Sequence, residues 1–242
     1  MSTPEHGPHA SMSSRSRQIL QRVGMHVRPG SFELLLAATL FLYVLNGLAV
    51  DSPLGAALVM VGRVAVLAAG VYVLSANPVA LYLGLFMVGC IILFELRVVP
   101  MNPATGLVLR DALTVGFVLW VLVIVLREIF RRTTSERDAV IGALSGFLLL
   151  VTVFMRVHAL LEGMSPGAYL ASGPALAERP EAEVLAAFQY FSTVTLTTVG
   201  FGDIVPLAPD ARVATGMEAI VGQLYLAVVV ATLVGRVAAR RD

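Results

Sequence analysis

The sequence predicts an all-α membrane protein: six transmembrane helices, with a short re-entrant helix and a loop between the fifth and the sixth. Three observations carry this. Hydrophobic residues make up 57% of the 242, charged residues only 14%, and mean hydropathy is +0.84, whereas a soluble domain is roughly half apolar and a quarter charged. Six apolar stretches each have the length a helix needs to cross a bilayer, about 20 residues. The arginines fall in three groups, and an even number of crossings puts all three on one side. All 17 basic residues are arginine, and the net charge of +1 gives no sign of a nucleic-acid partner.

Taken in order, residues 1–30 are polar, with Pro4, Pro8, Ser11, Ser13, Ser14 and arginines at 15, 17, 22 and 28. They read as a basic cytoplasmic tail, and no short apolar core with a small-residue cleavage site marks a signal peptide. The crossing stretches are 31–50, 54–75, 78–98, 105–129, 138–161 and 211–236, broken at Asp51-Ser52-Pro53, Ala76-Asn77-Pro78 and Pro100 to Pro103. Helices are the expected form, because an open strand in lipid leaves its amides unpaired. The first four make one unit, 31–132, and residues 138–242 a second. The loop 127–138 carries four arginines, the tail four and the C-terminal GRVAARRD three. Basic loops stay cytoplasmic, so both termini are expected on that side of the cell membrane, with 162–182 and the loop around Pro100 outside. Cys90 is the single cysteine and cannot form an intrachain disulfide.

One polar segment, TLTTVGFGD at 195–203, interrupts the apolar pattern. Residues 183–197 before it are too short to cross but suffice for a helix of about four turns. The segment then has to enter the membrane and turn back, and irregular backbone at that depth is tolerated only when packed in protein or lining a wet cavity. Gly200 and Gly202 accept positive φ without a Cβ clash, so the backbone can alternate its handedness and turn successive carbonyls to one axis. Val199 and Phe201 then point away, and the Thr198 hydroxyl adds an oxygen. Such a row of oxygens replaces the water shell of a hard cation. The C-terminal dipole end of the preceding helix favours a cation at the same place.

The string Thr198-Val199-Gly200-Phe201-Gly202-Asp203, preceded by Thr197, resembles the selectivity filter of the potassium-channel family in its GFG form. The resemblance covers about residues 138–236: outer helix, pore helix, filter and inner helix. It implies passive, K+-selective conduction through a homotetramer in the lipid bilayer, with Thr198 to Gly202 lining the path and no cofactor beyond the permeant K+. It also puts Tyr190 and Phe191 at aromatic cuff positions and Gly222 at an inner-helix hinge. Phe201 replaces the commoner tyrosine, so the filter lacks a hydroxyl that Tyr190 could supply from the other side. Val194 stands where some members carry a glutamate that pairs with the filter aspartate, here Asp203. For Gly222, as for Gly216 and Gly235, close helix packing is the alternative to a hinge.

Charges within crossing stretches call for partners. Arg156 and Glu218 lie at matching depths in the fifth and sixth, so a buried pair behind the filter is expected, a scaffold in place of the missing glutamate contact. Arg63 and the Arg110-Asp111 step are expected to pair similarly. The fourth stretch carries Arg110 and then no basic residue until Arg127, against strong voltage gating, which needs several charges in the field. No cytoplasmic ligand-binding domain is expected in this chain. Two other readings stay open: a non-selective or voltage-gated cation channel, and a potassium uptake transporter subunit. The second would carry several degraded pore loops in one chain. His158 is the only histidine outside the tail, and no paired carboxylates or nucleophile elbow mark an enzyme.

Overall fold

The computed structural model describes residues 30–48, 53–96, 98, 100, 102–131 and 135–238. The basic tail before Gly30, residues 132–134 of the basic loop and the arginines at 240 and 241 lie outside them. Among the described residues, six helices are long and apolar enough to cross a membrane: α1 (Ser31–Leu48), α2 (Pro53–Leu74), α3 (Pro78–Glu95), α4 (Pro103–Ile129), α5 (Glu136–Met164) and α7 (Pro209–Ala238). Between α5 and α7 the chain forms β1 (Tyr169–Ala171), a 3-10 turn (Leu176–Glu178), the short helix α6 (Glu181–Leu196) and β2 (Ile204–Pro206).

Local chemistry sets the helix starts. α2, α3, α4 and α7 all begin on a proline, whose fixed φ suits the first turn and whose missing N–H leaves nothing unpaired there. Asn77 caps α3, its side-chain oxygen accepting from the amides of Val79 (2.9 Å) and Ala80 (3.2 Å). α5 starts two residues before the expected 138 because Ser135 caps it, with Oγ accepting from Asp138 N at 3.1 Å, and Glu136 and Asp138 suit the positive end of the dipole. At 29 residues it is about 44 Å long, so its ends project beyond a hydrocarbon core of about 30 Å.

α5 is the central element: α1, α4, α6 and α7 all pack against it. A large buried core joins Leu35 and Leu42 of α1 to Phe117, Val121 and Val125 of α4 and Leu149 and Val153 of α5. A second cluster lies beneath the β1–β2 hairpin, made by Met155, Tyr169, Leu176, Leu185, Phe188 and Phe191. The hairpin is antiparallel, with Tyr169 opposite Pro206 and Ala171 opposite Ile204. Its entry is fixed by Glu162, whose two carboxylate oxygens accept from Gly167 N (2.9 Å) and Tyr169 N (3.1 Å). Neither strand is foreseeable from the sequence, since three residues hold too little alternation to register.

Candidate functional site

α6 delivers the TVGFG segment. It runs from Glu181 to Leu196, and the chain leaves it through bonds that reach back into its last turn. Thr198 N donates to Thr195 O (3.0 Å), while Val199 N and Gly200 N both donate to Val194 O (2.8 and 3.2 Å). The Thr197 hydroxyl donates to Thr193 O at 2.7 Å. These bonds use amides and leave carbonyls: outside helices and strands, no described backbone bond ends on the oxygens of residues 198–202. Positive φ falls on every second residue, at Thr198 (60°), Gly200 (54°) and Gly202 (78°). The two glycines behave as their sequence implies. Thr198 is the position sequence reasoning missed, because a β-branched residue in the left-handed region is a strained outlier. Its strain is held by the bonds on either side of it.

Two further predicted residues meet this segment. The Tyr190 ring stacks on Phe201, with centroids 6.3 Å apart and planes 3° from parallel, and its hydroxyl faces the Asp203 carboxylate. Tyr190 thus lies against residues on both sides of Gly202. Phe191, expected beside it in the same cuff, is packed elsewhere in this chain. One residue is a turn of about 100° on a helix, so Phe191 points behind α6, buried against Phe188, Tyr169 and His158.

The expected Arg156–Glu218 pair does not form. Arg156 Nη1 donates to Asp111 Oδ1 at 2.8 Å, whereas Glu218 Oε2 bonds to His158 Nε2 at 2.8 Å. Matching depth was not enough. Arg156 and His158 are two residues apart on α5, about 200° around the helix, so the first faces α4 and the second faces α7. Arg110 pairs with Asp111 as expected, but Arg63 does not join that step directly and instead shares Glu95 with Arg110. Arg110 bonds Asp111 (2.9 Å), Glu95 (3.2 Å) and Glu181 (2.7 Å), and Arg63 bonds Glu95 (3.1 Å). Three arginines and three carboxylates therefore meet where α2, α3, α4 and α5 reach the first turn of α6. Burial alone would raise the Glu181 carboxyl, but the Arg110 hydrogen bond and the charges of Arg110, Arg156 and Arg63 outweigh it and hold that group below the usual carboxylate range.

Gly222 presses α7 onto the filter's support. A Cβ built there would lie 2.5 Å from Leu196 O and 2.8 Å from Leu196 Cα, at the last residue of α6. α7 runs through it without a break, so this glycine serves close packing. Gly216, by contrast, has nothing within 4 Å of such an atom. A second contact absent from the sequence reading comes from α1. Asn46 Nδ2 donates to Gln189 Oε1 (3.0 Å), Gln189 Nε2 donates to Tyr43 O (2.9 Å), and the Tyr43 and Thr193 hydroxyls share a 3.1 Å bond. Asparagine and glutamine inside two apolar stretches were the available signal.

Comparison with known proteins agrees with this geometry. Residues 167–239 match a family model described as "Ion channel". Voltage-gated potassium channel Kch of Escherichia coli is 34% identical over 103 residues, 42% of this chain and 22% of that protein. Potassium voltage-gated channel protein shk-1 of Caenorhabditis elegans is 51% identical over 45 residues, 19% of this chain and 8% of its own length. Inward rectifier potassium channel Kirbac3.1 of Paramagnetospirillum magnetotacticum is 28% identical over 88 residues, 36% of this chain and 30% of the relative. In each case the match spans less than a third of the relative's length. The segment on which these matches converge, from the hairpin through α6 and the TVGFG turn to α7, is similar to ion channels, and its curated relatives are potassium channels.

Proposed function

We propose that this chain is one subunit of a homotetrameric, potassium-selective channel of the cell membrane, with both termini cytoplasmic and the β1–β2 hairpin outside. The observation that carries the reading is the alternation of positive φ at Thr198, Gly200 and Gly202, beside carbonyls that no backbone partner claims. Four such ribbons around one axis would give a dehydrated cation successive rings of oxygen. The exposure of the segment supports assembly: Val199 and Phe201 are 54% and 69% exposed in a single chain. On α7, Val213, Met217, Ile220 and Leu224 form one uncovered apolar stripe at spacings of four, three and four. Weak voltage dependence follows from Arg110, the basic residue of the first half of α4, being held by three carboxylates. Moving one charge across the field yields only about 2.3 kcal/mol per 100 mV.

The test is K+ flux into liposomes carrying the full chain, repeated with Gly200→Ala. Alanine at a left-handed position costs roughly 1–2 kcal/mol in each subunit, and its Cβ disturbs the ring. The expected result is K+ flux in the parent protein and its loss in the variant. Undiminished flux in Gly200→Ala would contradict the assignment.

A further inference from the structure

Behind α6, on the side away from the ion path, lies a hydrogen-bonded chain that the conduction reading does not use. His158 and Glu218 are both fully buried (0% exposed), and Tyr169 is nearly so. Glu218 Oε2 bonds His158 Nε2, and His158 Nδ1 bonds the Tyr169 hydroxyl. The imidazole is walled by Phe154, Phe188 and Phe191. Tyr169 belongs to the hairpin, His158 to α5 and Glu218 to α7, so three elements meet through one ring.

This chain also bears on the filter's support. The Ser192 hydroxyl of α6 lies within reach of the Glu218 carboxyl, although neither it nor Glu218 Oε1 makes a full hydrogen bond among the described residues. One turn further along both helices, Gly222 touches the backbone of Leu196. Ser192 and Leu196 are four apart on α6, as Glu218 and Gly222 are on α7. The two contacts are thus in register, and the second ends two residues before Thr198.

The proton count decides what the chain can do. With a carboxylate and a neutral imidazole, both bonds are satisfied in one way: Nε2–H donates to Glu218, and the Tyr169 hydroxyl donates to Nδ1. One added proton forms either an imidazolium or a neutral Glu218 that donates to Nε2. In both cases Nδ1 becomes a donor, so the Tyr169 bond reverses. The tyrosine proton then turns away from His158 toward the neighbouring Thr215 on α7, whose hydroxyl donates to Ala211 O. The other groups facing the site are Glu162 on α5, which accepts from two hairpin amides, and Asp210 at the start of α7. Ser192 is the polar group that α6 contributes. No described arginine is within ion-pair distance of Glu218. The unprotonated site therefore carries one uncompensated negative charge, and the added proton removes it.

We propose that His158 and Glu218 are positioning residues for the filter, a one-proton strut through which extracellular acid lowers K+ conduction. Resting on the channel reading above, it adds a regulator to it. Protonation reverses the hairpin bond and withdraws a negative charge that favours a cation in the path.

The experiment is K+ flux from liposomes carrying the full chain, with external pH stepped from about 8 to about 5. Parent protein, His158→Gln, Glu218→Gln and Tyr169→Phe are each normalised to their own flux at the alkaline end. The parent should lose at least about threefold of its flux, His158→Gln and Glu218→Gln should flatten the profile, and Tyr169→Phe should move its midpoint. Absent K+ flux at every pH would strike the channel reading itself. Robust flux with no pH dependence, or a parental profile in His158→Gln, would overturn the strut. If His158→Gln fails to assemble, Tyr169→Phe decides: it removes a single hydroxyl, and an unmoved midpoint overturns the proposal.

Discussion

At the residue scale, function concentrates where a side chain is either absent or locked. Gly200 and Gly202 were legible as positive-φ positions, because only glycine adopts that region at no steric cost. Thr198 was not, since nothing in its sequence context announces that the bonds of Thr198, Val199 and Gly200 to the end of α6 hold a β-branched residue at φ 60°. Gly222 was legible as unusual but not as a packing or a hinge residue, a choice that depends on what stands opposite. The structure puts the Leu196 backbone there, and backbone cannot move aside as a flexible side chain can. Gly222→Ala should therefore destabilise the protein by about 1–3 kcal/mol, the usual range for overpacking. Gly216→Ala, with open space around it, should stabilise α7 by up to about 1 kcal/mol. Thermal unfolding of the two variants in detergent checks the contrast, and equal shifts would refute it.

At the scale of elements, hydropathy and prolines revealed the six crossing helices, because apolar length is a one-dimensional property. Azimuth is not, and there the reading failed: Arg156 and Glu218 share a depth but look in different directions, so each found another partner, Asp111 and His158. The hairpin was invisible for its shortness. So was the contact of α1 with α6 through Asn46, Gln189 and Tyr43, since a pairing between segments about 140 residues apart leaves no local pattern. Through these contacts and those at Glu181, the first four helices hold α6 at its middle and at its start. The start depends on Glu181, whose carboxyl is held below the ordinary range by the arginines facing it. A depressed folded-state value stabilises the fold above the unfolded value, and the contribution is lost as pH falls through the folded one. Thermal stability should thus fall in acid, and less steeply in Glu181→Gln than in the parent. Parallel profiles of melting temperature against pH would contradict this.

For the whole molecule, the likeness to potassium channels was readable from six consecutive residues, yet most of the surrounding apparatus was not. TVGFGD names a backbone conformation, whereas the supports behind it are spread over α1, α4, α5 and the hairpin. The chain presents two unlike sides: one face of α6 and α7 is apolar and exposed. The opposite side is tied down by the buried Gln189 and Glu218, bonded to α1 and α5, and by the Glu181 carboxylate, bonded to Arg110. On the proposed reading, the exposed ribbon meets three copies of itself around a shared cation. The most direct test is the reversal potential of the reconstituted protein in planar bilayers, with K+ on one side and Na+ on the other. This account predicts a potential far on the K+ side, by roughly 60 mV for each tenfold preference. A reversal potential at zero, the mark of a pore that treats the two ions alike, would contradict it.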